Sequence, residues 1–252
     1  MGQRSIDIEL WQAAVQDNTN RVQSALAKGA YIDTLGPDGG TPLRSLLRYS
    51  GIRFNVNGIQ PSNQTVLFLL KNGADPNRQD TRGRAAIHEC SIYGNLEHLK
   101  LLVEYKADVN LKTETGRTPL HMCAKSGNVD FAEFLILHGA HINSLDNDHR
   151  TPLMAAVVGN TPEGNVEMVT CLIVNNANML LRGVDGQTAE SLSINLDRED
   201  LTEVIQAAIL IREKCTAFAS GHHERLGSGS DVKFIQPEIM RMILDMVLRE
   251  NK

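Results

Sequence analysis

Three short markers recur along this chain in one register. The first is a tetrapeptide related to Thr-Pro-Leu-His. It stands at Thr41-Pro42-Leu43, Ala85-Ala86-Ile87-His88, Thr118-Pro119-Leu120-His121 and Thr151-Pro152-Leu153, with a degenerate copy at Thr188-Ala189-Glu190. The second is an alanine, at Ala30, Ala74, Ala107, Ala140 and Ala177. The third is the pair that precedes each alanine: Ala25-Leu26, Leu69-Leu70, Leu102-Val103, Leu135-Ile136 and Leu172-Ile173. The first two markers step identically, by 44, 33, 33 and 37 residues. A chain that repeats at this period does not gather distant segments into one large core. Each unit buries its apolar face on its neighbours in the sequence. The two long steps place insertions inside units, in the second at 51–61 and a shorter one in the fifth. An aromatic content of 4% fits many small helices better than one bulky core.

Each unit can be read from its residues. Thr118 suits a helix N-cap, and Pro119 suits the first helical position, where a missing N–H costs nothing. Thr41-Pro42 and Thr151-Pro152 repeat the device. Small residues follow, among them Cys90, Ser91, Cys123, Ala124, Ala155 and Ala156, and they allow close packing of the first helix. Turns at Gly94-Asn95 and Gly127-Asn128 reverse the chain into a second helix that carries the Leu/Val/Ile stripe. Gly29, Gly73 and Gly139 end that helix in the left-handed conformation. Asn176 can do the same less well, and Lys106 is the departure, predicting a strained helix end.

A period of 33 with Thr-Pro-Leu-His opening a helix resembles the ankyrin repeat family, and the likeness covers about residues 5–212. The resemblance implies an all-α fold: an ankyrin-repeat solenoid of helix-turn-helix units with β-hairpin loops, here followed by a C-terminal amphipathic helix. The solenoid spans 1–213, in six units at 5–33, 34–78, 79–111, 112–144, 145–182 and 183–212. The end units should be polar outside, as Gln12, Gln16, Asp17 and Asn18 and then Asp197, Arg198, Glu199 and Asp200 are. Residues 214–235, rich in Gly and Ser, read as a linker. In 236–252, Ile239, Met242, Ile243, Met246 and Val247 fall at i, i+3, i+4, i+7 and i+8, the stripe of an amphipathic helix. That helix can cover the last unit or enter another protein's groove. Phe234 to Ile239, with Ile243-Leu244, is also similar to the opening of an F-box, with Gln236 where Leu usually precedes the Pro.

The family binds partners on the concave face made by hairpin tips and the exposed side of first helices. Carried onto this chain, its variable contact positions include Leu35, Arg48 and Tyr49; Gln79, Arg82, Arg84, Ile92 and Tyr93; Lys112, Glu114, Arg117 and Lys125; and Arg150. Asp38 and Asp148 belong to the same set. The chain has net charge −5 and pI about 5.9, yet this set is mostly basic, with tyrosines interleaved. An acidic partner segment with an apolar anchor is the matching chemistry. The insertion at 51–61, with Ile52, Phe54, Val56 and Ile59, either serves binding or packs over the second helix.

Catalysis finds no support in the motifs. Gly227-Ser228-Gly229 lacks the strand and GK[ST] of a phosphate loop, and no GxSxG or HExxH occurs. His88 and Cys90, and His121 and Cys123, repeat one spacing that would serve zinc, but each His is the last letter of the repeated tetrapeptide and each Cys takes a small buried position. No cofactor is expected. Four scattered cysteines suit a reducing compartment, and no run of about 18 apolar residues is present. Net acidity argues against nucleic acid as a partner. The expectation is a monomeric, non-catalytic, intracellular scaffold, cytoplasmic or nuclear, or in the host cytosol if the protein is a pathogen effector. The alternatives are an adaptor whose C-terminal helix recruits a second partner such as ubiquitin-ligase machinery, and an enzyme with an unrecognised site. Asn110, in Leu102-x5-Asp108-Val109-Asn110, resembles the hairpin asparagine hydroxylated in some family members.

Overall fold

The computed structural model describes residues 2–57, 62–93, 96–159 and 164–226, with side chains left out of the description at 50–57, 164 and 214–226. Among these residues the regular structure is entirely helical. The helices alternate as first and second members of successive pairs: α1 (Gln3–Val15) and α2 (Thr19–Ala27), α3 (Pro42–Asn57) and α4 (Asn63–Lys71), α5 (Ala86–Tyr93) and α6 (Leu96–Glu104). The series continues with α7 (Pro119–Ser126) and α8 (Val129–Leu137), α9 (Pro152–Val157) and α10 (Gly164–Val174), α11 (Ala189–Asn195) and α12 (Glu199–Leu226). The six pairs follow the register of the sequence markers.

The helix starts have local causes. The Thr41 hydroxyl accepts from the Arg44 N–H at 3.3 Å, and Thr151 accepts from the Met154 N–H at 3.2 Å with Pro152 opening α9. Thr188 and Ser191 form a reciprocal capping box. Asn18 caps α2 by accepting from the Arg21 N–H, and Ser62 caps α4 by accepting from the Gln64 N–H, each without the reciprocal bond. The helix ends behave as the glycines require: Gly29, Gly73 and Gly139 have φ of 89°, 90° and 89°. Lys106 and Asn176 adopt the same conformation, at 70° and 71°, without glycine's freedom.

The chain divides into two compact units, Met1–Met122 with His138–Ala140, and Cys123–Leu137 with His141–Lys252. In the first, α1, α3 and α5 pack in a row, and α2, α4 and α6 pack in a second row. Its core is small and aliphatic: Leu10, Ala13, Val22, Leu43, Leu46, Leu47, Leu69, Ile87, Cys90, Leu99 and Leu102 are buried. In the second, α9 packs on α11, and α8, α10 and α12 form the other row. Leu135, Leu153, Met154, Met168, Leu172, Val204 and Ile205 fill it.

Two boundaries differ from the sequence reading. The insertion at 51–61 begins as a continuation of α3, which runs to Asn57, and 58–61 lie outside the described residues. Gly51 stands about where Gly94 and Gly127 follow the equivalent helices, yet α3 runs through it: glycine permits a helix end without forcing one, and no proline, which would force it, occurs between Pro42 and Pro61. Likewise α12 passes the boundary at 213 and continues to Leu226, through the first part of the stretch read as a linker. Glu213 to Ser220 contain neither Gly nor Pro, so a helix already started has nothing to end it there. Residues 227–252, with Ile239, Met242, Ile243, Met246 and Val247, lie outside the described residues.

Candidate functional site

Between pairs, the chain forms tight loops that carry most of the expected contact residues. Each is a turn closed by two backbone hydrogen bonds, as at Asp80–Arg84 (2.9 Å) with Gly83 to Asp80 (3.0 Å), and at Thr113–Arg117 (2.9 Å) with Gly116 to Thr113 (2.8 Å). They are hairpins too short to form a strand ladder. In the first unit neighbouring loops touch: the Glu114 N–H donates to the Arg82 carbonyl at 3.1 Å. Gly83 has φ of 67°, and a Cβ there would lie 2.5 Å from the Glu114 nitrogen, so this approach requires glycine. The Gln79 amide donates to the Gly83 carbonyl at 2.6 Å and the Lys112 carbonyl at 2.8 Å. Gln79, expected as a partner contact, therefore joins one loop to the next.

An asparagine ladder runs behind these loops. Asn77 clamps the following pair twice, its amide donating to the Lys106 carbonyl at 2.9 Å and its oxygen accepting from the Asp108 N–H at 2.7 Å. Asn110 donates to the Gly139 carbonyl at 3.0 Å. In the second unit, Asn143 accepts from the Asn178 N–H at 2.7 Å. Asn110 is thus bonded to the end of the following pair by the same device as Asn77.

The repeated histidines are also structural in their bonding. His88 is fully buried; its Nδ1 accepts from the Ala85 N–H at 3.1 Å and its Nε2–H donates to the Leu111 carbonyl at 2.9 Å. Burial pushes its pKa down to about 4, so the ring is neutral at pH 7. His121 accepts from the Thr118 N–H at 3.2 Å in the same way. Both imidazoles hold loop to helix.

The residue at this position in the second pair is Arg44, and the consequence is large. Its side chain is 1% exposed and lies among three carboxylates: Asp38 at 3.0 Å, Asp80 at 3.2 Å and Glu89 at 2.7 Å. Arg84 closes the cluster, 3.0 Å from Asp80 and 3.2 Å from Glu89. The Asp80 carboxyl is held below the usual range although burial, the largest influence, works the other way; the Arg84 and Arg82 N–H groups and the two guanidinium groups prevail. Two guanidinium groups and three carboxylates from successive pairs thus form one network. Removing a single member would strand buried charge. Sequence reading placed Arg84 among the surface contacts and passed over Arg44. The signal was present: an arginine stands at the register position that His88 and His121 occupy.

Beside this network is an aromatic edge. Trp11, in α1, meets Tyr49, in α3, edge to face, with ring centroids 6.2 Å apart. The indole N–H donates to the Ser45 hydroxyl at 3.0 Å, and that hydroxyl donates to Asp38 at 3.0 Å. Gly36 packs against the indole; any Cβ there would collide with its five-membered ring. Leu35, next to it, is 50% exposed. Trp11 and Tyr49 are half-buried.

The remaining expected contacts sort by engagement. Arg82 is exposed and Arg48 half-buried, and neither side chain forms an ion pair among the described residues. Lys112 and Glu114 are exposed, and Arg117, Ile92 and Tyr93 are half-buried. In the second unit Lys125 is exposed, and Arg150 lies 3.8 Å from Asp185. No group of three or more His, Cys, Asp or Glu residues suited to a metal occurs among the described residues. No described helix is long and apolar enough to cross a membrane.

Comparison with known proteins agrees with this architecture. The sequence profile of ankyrin repeats in three copies matches residues 56–146, and that of a single ankyrin repeat matches 148–184, together about half of the chain. Among solved structures, the chain is similar to an ankyrin repeat domain from Acinetobacter baumannii AYE, with a TM-score of 0.66 and 24% identity over 79% of this chain and 96% of that one. At that identity the likeness is one of fold.

Proposed function

We propose a function from one premise: this chain belongs to the ankyrin repeat family, whose members are generally protein–protein interaction modules. On that premise the chain is a non-catalytic scaffold. It holds an acidic partner segment with an apolar anchor on the face made by the loops and first helices. The observation that carries this reading is that Arg48 and Arg82, which form no ion pair among the described residues, share one compact unit with exposed Leu35 and half-buried Tyr49. Arginine and tyrosine are the residue types that most often anchor interfaces. The same reading makes the protein a monomer that works inside cells, in cytoplasm or nucleus.

The test is crosslinking capture followed by titration of the captured partner. Arg82→Glu should weaken that complex at least tenfold while the urea midpoint stays in place. Unchanged affinity would remove the reading. The adaptor reading rests on the amphipathic pattern of 236–252, including the stretch similar to an F-box. A chain ending at Leu226 separates the two: loss of one partner with retention of another identifies an adaptor.

A further inference from the structure

We infer that Trp11, Tyr49 and Leu35 form the seat for the partner's anchor residue, that Arg48 and Arg82 take its flanking carboxylates, and that Arg84 positions this site without touching the partner. The inference rests on the proposed function and narrows it to one end of the first unit. Four observations lead to it.

The first is continuity. Leu35, an exposed aliphatic residue, stands next in the chain to Gly36, which packs on the Trp11 indole, and the indole edge meets the Tyr49 ring in α3. The second is rigidity. The indole N–H is fixed by Ser45, and Ser45 by Asp38, which also binds Arg44. Rings held in this way lose little freedom when an anchor docks, and preorganisation favours affinity.

The third is charge. Arg44 and Arg84 are neutralised by Asp38, Asp80 and Glu89, so neither offers charge to a ligand. Arg48 lies one turn beyond Arg44, on the same side of α3. Arg82 lies in the loop that Asp80 organises, its own N–H bonded to Asp80 at 2.8 Å. Neither side chain forms an ion pair among the described residues. The fourth is adjacency of the two loops: a Cβ at Gly39 would lie 3.6 Å from the Thr81 hydroxyl, so the loop of Leu35 and the loop of Arg82 are neighbours. The occupant that satisfies all four is a polypeptide segment with one large apolar side chain between acidic residues. Nucleic acid fits less well, because the chain is net acidic and only two cations accompany the exposed Leu35.

Trp11 is the single tryptophan of the chain, so its emission reports this seat alone. The full chain is used as bait for a random twelve-residue peptide library displayed on phage. Selected peptides are synthesised and titrated while Trp11 emission is followed, and a single-stranded twelve-nucleotide DNA is titrated in parallel. The expected result is a consensus of one aromatic or large aliphatic residue flanked by Asp or Glu, binding that shifts the Trp11 emission, and no response to DNA. Leu35→Glu and the pair Arg48→Glu/Arg82→Glu should each weaken binding at least tenfold, with the circular dichroism and urea midpoint retained. Arg84→Lys should leave more affinity than Arg82→Lys and lower the urea midpoint, which Arg82→Lys should not.

Acidic peptides that bind without moving Trp11 emission, and that ignore Leu35→Glu, would overturn the seat and leave the interaction module standing elsewhere. A neutral or basic consensus, or a response to DNA alone, would overturn the partner's chemistry. Enrichment of no peptide over an unrelated bait would overturn both this inference and the reading beneath it.

Discussion

At the scale of single residues, one position shows how the repeat is tuned. Asn77 bonds the next pair through both atoms of its amide. One repeat earlier the same position is Asp33, buried, which accepts from the Asp75 N–H at 3.2 and 3.3 Å. An ionised carboxylate has no donor for the carbonyl that the register places opposite it, that of Gly73. Burial raises the Asp33 pKa above its ordinary 3.8, with the Asp75 charge adding to the effect, while the Asp75 N–H and Arg78 oppose it. The folded chain therefore binds this proton more tightly than the unfolded chain does. Stability from the group is present below the unfolded pKa and is lost as pH rises through the folded value. Asp33→Asn should restore the missing donor and add about 1 kcal/mol at pH 7. The gain should shrink as pH falls toward 3.8, because protonated Asp33 regains a donor of its own. Urea unfolding of both proteins across that pH range checks this; a gain independent of pH would show that the carboxyl is not the cause.

At the scale of the helix, the informative place is the end of the second helix in each pair. The chain leaves it through a left-handed residue, because the N–H after that residue returns to the last turn, as Ala107 does to Leu102 at 2.8 Å. Three of these positions are glycine, and Lys106 takes the conformation at φ of 70°. A side chain there costs roughly 1–2 kcal/mol against right-handed backbone. Glycine gives back part of that through greater freedom in the unfolded chain. Lys106→Gly should therefore stabilise the protein by about 0.5–1 kcal/mol. Asn176→Gly should gain less, since asparagine tolerates this region. Thermal melts of the two variants side by side measure the difference, and an equal or reversed effect would mean that the Lys106 side chain contributes a contact that outweighs its strain.

At the scale of the whole chain, charges divide into those the fold uses and those it presents. The Arg44 network is almost fully shielded, whereas Arg82 and Lys112 are exposed. Mobile ions screen exposed charges and reach buried ones poorly. Raising salt from about 50 to 500 mM should weaken capture of an acidic segment several-fold and leave the thermal midpoint within about a degree. Titration and melting at both salt levels test the division. A midpoint that falls with salt as affinity does would place the network in contact with solvent.

The sequence alone determined the repeat, its period, the alternation of helix pairs and the residues that start and end most helices. Those features arise from interactions within one unit or between units adjacent in the chain, so a pattern of 33 residues carries them. It also placed the loops, and with them the list of candidate contacts. Which of those contacts are available was decided only in three dimensions. Arg84 and Gln79 look like surface residues in the sequence, and their neighbours 5 and 33 residues away, Glu89 and Lys112, engage them. Trp11 and Tyr49 lie in different pairs, and only packing of α1 on α3 brings their rings together. Helix length past 50 and past 213 was likewise hidden, because a glycine such as Gly51 permits a helix to end without requiring it, and the stretch after 213 carries no stop residue until Gly221. Periodicity records what every unit shares; the side chains that distinguish one unit from the next acquire their roles from whichever neighbours the fold sets against them.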